Sequence, residues 1–144
     1  SRADAQLTWL AIWIGAAVLS FSVAILAMAR KSLAEGVPLL SGPGRRFAWN
    51  VTPPLAAGVV LTIALAQSGF MHLLPGTWLL LYGTSVVTGG SYSVRPVPVM
   101  GLAFMLAGVA AFLSPQGWGD AFMAAGFGGL HIVFGIVIWG KHGG

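Results

Sequence analysis

"LTWLAIWIGAAVLSFSVAILAMA", residues 7–29, contains no charged side chain and ends at the pair Arg30–Lys31. About twenty apolar residues in helical form cross the roughly 30 Å of hydrocarbon in a bilayer, so this run has the length of one transmembrane span. The rest of the chain has the same character. Of 144 residues, 57% are hydrophobic and 7% charged, with a mean hydropathy of +0.88. A soluble domain carries about 25% charged residues, and so few cannot clothe a water-soluble globule of this size. Membrane β-barrels alternate apolar and polar residues within short strands. Here the runs are continuous and rich in Leu, Ala, Gly and Val, which implies helices.

The expected fold is therefore an all-α integral membrane protein, a single domain with a bundle of about five transmembrane helices. After residues 7–29, spans are expected at about 51–74, 77–93, 97–113 and 121–140. The pair Pro75–Gly76 reads as the turn between the second and third. Pro53 and Pro54 allow two readings. A helix from Pro43 would contain them and be kinked there. A helix beginning at Pro53 would carry them in its first turn, where proline is tolerated, and this is the simpler reading.

Basic residues set the orientation. Arg30, Lys31, Arg45, Arg46, Arg95 and Lys141 fall on one side of a five-span topology, and only Arg2 on the other. The N-terminus of this chain is then outside and the C-terminus cytoplasmic, and a further helix upstream is expected to restore a conventional topology. Trp9, Trp13, Trp49, Trp78, Trp118 and Trp139 lie near expected span ends, the depth indole rings favour. "LLPGTW" at 73–78 resembles "LSPQGW" at 113–118. Two tandem helical hairpins after the first helix, in parallel orientation, are one explanation. Chance likeness in Gly- and Pro-rich spans is the other.

No catalytic set stands out. The three acidic residues all lie outside the spans, and there is no cysteine, so neither acid–base chemistry nor a thiolate metal site is expected. The net charge of +4 is explained by topogenic residues without nucleic acid. Small residues four apart, Ser85–Gly89 with Gly90, Ala124–Gly128 and Ala125–Gly129, point to close helix packing, with helix three on helix five as the expected pair. A hinge or a cavity for a flat cofactor is the alternative.

His131 falls near the middle of the fifth span. An ionisable side chain at that depth marks a candidate site. With Gly128 and Gly135 beside it, it could ligate a haem or chlorophyll; it could handle protons or a polar ligand; or it is a neutral imidazole bonded to a hydroxyl on a neighbouring helix. Thr84, Thr88, Ser91 and Arg95 are spaced to share one helix face. They form either a polar path or a row of hydroxyls bonded to their own helix carbonyls. Arg45 and Arg46, in "SGPGRR", suit an anion such as a lipid phosphate, or serve only to orient the chain.

"LLLYGTSVVTGGSYSVRPVPVMGL" and "AAGFGGLHIVFGIVIWGKHGG", with "VPLLSGPGRRFA", resemble a family of small, functionally uncharacterised multi-pass proteins of the bacterial inner membrane. The likeness covers most of residues 28–144. It implies the same helical architecture and at least one more helix upstream, and no activity. The leading functional expectation is a non-enzymatic protein acting by association, as a structural or accessory component of a membrane assembly or as a homo-oligomer. The alternatives are a small transporter or channel using the Thr84–Arg95 face and His131, and a haem- or chlorophyll-binding subunit with His131 as ligand.

Overall fold

The computed structural model describes residues 1–142, so the final Gly143 and Gly144 of the C-terminal tail lie outside the described residues. Helix α1 (Arg2–Glu35) is followed by α2 (Gly42–Gln67), α3 (Leu74–Gly90) and α4 (Pro96–Leu113). The last span is composite. Helix α5 (Gly119–Met123) passes into a π-helical stretch (Ala124–Leu130) and then into α6 (His131–His142). Single 3₁₀ turns, Met71–Leu73 and Gln116–Trp118, lead into α3 and α5. No strand occurs among the described residues.

Four segments, α1, α2, α4 and Gln116–His142, are long and apolar enough to cross a membrane. Helix α3, at 17 residues, reaches about 25 Å at 1.5 Å per residue. It is also the most buried helix. The fold is an all-α membrane bundle, the class that the composition implies. Large apolar side chains point outward along the spanning helices, as they must where lipid replaces water.

Residues 1–45 and 46–142 form two compact units. In the first, α1 buries none of its side chains and ends in a Schellman motif. Gly36 takes a left-handed φ of 66°, and the Val37 N–H donates to the Ser32 carbonyl at 3.1 Å.

The second unit corrects several expected boundaries. Helix α2 begins at Gly42 and holds Pro53 and Pro54 in its interior, not in its first turn. Proline fixes φ at a helical value, so the chain continues through the pair while two carbonyls lose their amide donors. The helix stops at Gln67 rather than near residue 74. Its terminator is Gly69, with φ 78°. The Phe70 N–H reaches the Leu65 carbonyl at 2.8 Å and the Gly69 N–H the Ala66 carbonyl at 3.3 Å, a second Schellman motif. Pro75 therefore sits in the first turn of α3, and the turn expected at Pro75–Gly76 lies earlier, at Gly69.

The core of this unit is a glycine seam between antiparallel α3 and α4. A Cβ on Gly83 would lie 2.7 Å from the Gly101 carbonyl oxygen and 2.8 Å from the Met105 backbone nitrogen. One on Gly101 would lie 2.7 Å from the Val87 nitrogen, and one on Gly108 would lie 2.9 Å from the Leu80 nitrogen. Gly76 takes the Phe112 ring in the same way. Backbones approach this closely only where side chains are missing, and dispersion across such a seam drives association that lipid does not. Leu79, Val86, Met100 and Phe104 are buried around it.

The similar stretches at 73–78 and 113–118 each adjoin a 3₁₀ turn, but in different register: Met71–Leu73 precedes the first proline and Gln116–Trp118 follows the second. The tightest pairing, α3 with α4, nevertheless joins what would be different hairpins of a tandem repeat.

Candidate functional site

The π-helical stretch carries Phe127 and delivers His131 to the interior. There His131, Tyr82 of α3, Phe104 of α4 and Phe127 form an aromatic cluster. The Tyr82 ring lies 4.8 Å from Phe104, 5.0 Å from Phe127 and 5.5 Å from His131, centroid to centroid. The Phe104 ring is 5.3 Å from His131, edge on. Phe104 is fully buried. Gly126 is buried too, and a Cβ there would meet Leu79 and Phe104.

Two hydrogen bonds define the state of the imidazole. Nδ1 is 2.9 Å from the Phe127 carbonyl oxygen, which only accepts, so Nδ1 carries the proton. Nε2 is then the bare nitrogen, and it accepts from the Tyr82 hydroxyl at 2.7 Å. A neutral ring in this arrangement has both nitrogens engaged. A macrocycle metal would have to displace Tyr82 to bind, and Gly128 and Gly135, expected to make room for it, are exposed.

The polar line on α3 resolves into local bonds. Thr84 Oγ1 donates to the Leu80 carbonyl at 2.9 Å, Thr88 Oγ1 to the Thr84 carbonyl at 3.0 Å and Ser91 Oγ to the Val87 carbonyl at 2.8 Å. Each hydroxyl satisfies itself on its own helix, as such side chains do where no water competes. Arg95 does not share their face. Helix α3 ends at Gly90, and Arg95 stands after an intervening turn as the residue that precedes α4. Among the described residues no buried side-chain nitrogen or oxygen lacks a partner.

The small-residue positions divide. Ser85, Gly89 and Gly90 are buried, but against α2 and α4 rather than the fifth span. A Cβ on Gly89 would meet Val51 and Phe47, and one on Gly90 would meet Val97. The Ser85 hydroxyl lies 3.5 Å from the Val51 carbonyl oxygen. Farther along the same pair of helices, Trp78 Nε1–H donates to Thr62 Oγ1 at 3.0 Å, with the indole against Gly58. Ala124, Ala125, Gly128 and Gly129 are exposed, and nothing lies within 4 Å of a Cβ built on either glycine. The expected packing of helix three on helix five through these four is replaced by Gly126, which the spacing of four does not select.

Arg45 and Arg46 lie near the start of α2, both exposed. The Arg46 guanidinium is 5.7 Å above the centre of the Tyr92 ring. At the opposite end of α4 a cavity of about 280 Å³ opens between the two 3₁₀ turns, lined by His72, Pro75, Phe112, Ser114 and Gln116 among others. Sequence spacing gave no sign of it, because its walls come from two separate turns.

Fold and site together define a polytopic helical membrane protein whose interior polar groups are satisfied within the chain. The chain matches no protein-family model, no curated protein and no solved structure.

Proposed function

We propose that the protein acts by association, as a non-enzymatic structural or accessory component of a bacterial inner-membrane assembly or as a homo-oligomer. The observation that carries this reading is the contrast between engaged polar groups and a bare helix face. Both nitrogens of His131 are bonded, as are the hydroxyls of Thr84, Thr88 and Ser91. Transport along that face, or ligation of haem or chlorophyll, needs one of these groups open. The face of Ala124, Ala125, Gly128 and Gly129 lets a second helix approach at backbone distance. The resemblance to multi-pass inner-membrane proteins agrees with this reading, and the six-to-one bias of basic residues favours a cytoplasmic C-terminus.

Purification of the full chain from native membranes in mild detergent tests the proposal. A discrete assembly, with a second protein or several copies, is the expected outcome, and Gly128→Leu with Gly129→Leu should disperse it. A monodisperse lone monomer from native membranes would sink it.

A further inference from the structure

We infer that Arg46 and Arg95, together with the ring of Tyr92, bind the phosphate of an anionic phospholipid in the leaflet where α4 begins. This reading is independent of the association proposed above and concerns residues 46–142 alone.

The first ground is uncompensated charge. Over these residues the sequence has one carboxylate side chain, Asp120. Asp120 lies in the first turn of α5, whereas Arg95 precedes α4, and the 18 residues of α4 separate them. That is about 27 Å along the helix, several times the screening length of roughly 8 Å in physiological salt. The charge at this rim therefore has no carboxylate side chain near it among the described residues of its own unit.

The second ground is placement. The Arg46 guanidinium rests 5.7 Å over the Tyr92 ring. This contact fixes the position of the cation without neutralising it. Tyr92 lies in the short connection between α3 and α4, three residues before Arg95. The ring thus ties the cation of α2 to the turn that carries the second cation.

The third ground is what the backbone offers. Pro96 and Pro98 have no N–H. The Val97 N–H donates to the Val94 carbonyl at 3.0 Å and the Ser93 N–H to the Gly90 carbonyl at 2.9 Å. The charged donors at this rim are guanidinium groups, whose planar forks match phosphate oxygens. Phe47, Trp49 and Val99 are exposed beside the rim. A molecule with acyl chains below its phosphate covers both the cations and these apolar side chains; a free anion covers only the first. Tyr92 and Trp49 have the amphipathic rings that favour the headgroup layer.

The test uses the purified full chain, exchanged into detergent containing phosphatidylglycerol or phosphatidylcholine, with retained lipid counted by native mass spectrometry. The unmodified protein should retain phosphatidylglycerol in preference. Arg46→Gln and Arg95→Gln should each lower that retention roughly fivefold, and Tyr92→Leu should lower it less. Arg2→Gln should leave it unchanged, with helicity constant throughout by circular dichroism. Equal retention of the two lipids by the unmodified protein would overturn the assignment. So would a double Arg46→Gln, Arg95→Gln variant that holds phosphatidylglycerol as before, or an equal loss on Arg2→Gln. Displacement of the lipid by millimolar inorganic phosphate would assign the rim to a soluble anion and overturn it likewise.

Discussion

Two glycine-rich regions of this protein look interchangeable in sequence and are opposites in space. Along α3 and α4, Gly76 and Gly83, and Gly101 and Gly108, are each seven residues apart; Gly83, Gly101 and Gly108 face the backbone of the other helix, and Gly76 the ring of Phe112. In the π-helical stretch, Gly128 and Gly129 face nothing within 4 Å, and only Gly126 is packed. The difference lies in the partner helix. A seven-residue interval keeps small residues on one stripe over two turns, and the seam closes because α4 offers the same interval in the opposite direction. The pairs at 124–129 are also at helical spacing, but among the described residues no other helix lies against Gly128 or Gly129. Glycine spacing thus identifies a face that can be approached, and a matching face decides whether it is.

The largest test of this contrast is Gly83→Leu. The Gly101 carbonyl oxygen and the Met105 backbone nitrogen, 2.7 and 2.8 Å from a Cβ there, cannot swing aside as a side chain can, so the substitution should cost about 3 kcal/mol or prevent folding, read from unfolding in mixed detergent. A variant as stable as the parent would show that the seam is not the core. A smaller effect is expected inside the aromatic cluster. A double-mutant cycle of Tyr82→Phe and His131→Leu should give a coupling of about 1 kcal/mol, in the range of hydrogen bonds between membrane helices. Zero coupling would separate the two residues. Least of all, Gly128→Leu should change the stability of the isolated chain by less than about 0.5 kcal/mol, while removing any association through that face. If it destabilised the monomer as Gly83→Leu does, the two regions would not differ after all.

Much of the fold was legible. The uncharged run that opens at Pro96 placed α4 to within one residue, because hydrophobic length is what a bilayer selects, whereas α1, Arg2–Glu35, extends past both ends of the uncharged run at 7–29 and through Arg30–Lys31. The α2–α3 boundary was misread for a local reason. "PG" is a strong turn signal in general, yet Pro75 is equally at home in a first helical turn, and Gly69, with Phe70 behind it, carries the Schellman geometry. The extended start of α2 was hidden by the same ambiguity at Pro53–Pro54. At the site, His131 was legible as an ionisable side chain at depth, and a hydroxyl partner was among the readings. Tyr82 was not singled out as that partner. The signal existed, since a tyrosine in the middle of a span also needs a partner for its hydroxyl, but forty-nine residues separate the pair, and no local spacing links them. The π-helical stretch left no readable mark in the spacing, although Gly126, Phe127 and His131 in and beside it pack against α3 and α4. The glycine seam was legible in principle as two intervals of seven, and it was overlooked in favour of intervals of four.

The π-helical stretch has a consequence for how this chain tolerates changes of length. A helix wound with i to i+5 bonds holds more residues per turn than an α-helix, so it acts as a local store of surplus chain. Removing one residue from an ordinary span rotates everything beyond it and turns its buried stripe toward lipid. Between Ala124 and Leu130 the same deletion can be absorbed by rewinding, with α5 and α6 keeping their present faces toward α3 and α4. In a bundle otherwise fixed by backbone contact, this is where a single-residue deletion is best accommodated, provided that Gly126 and His131 are kept.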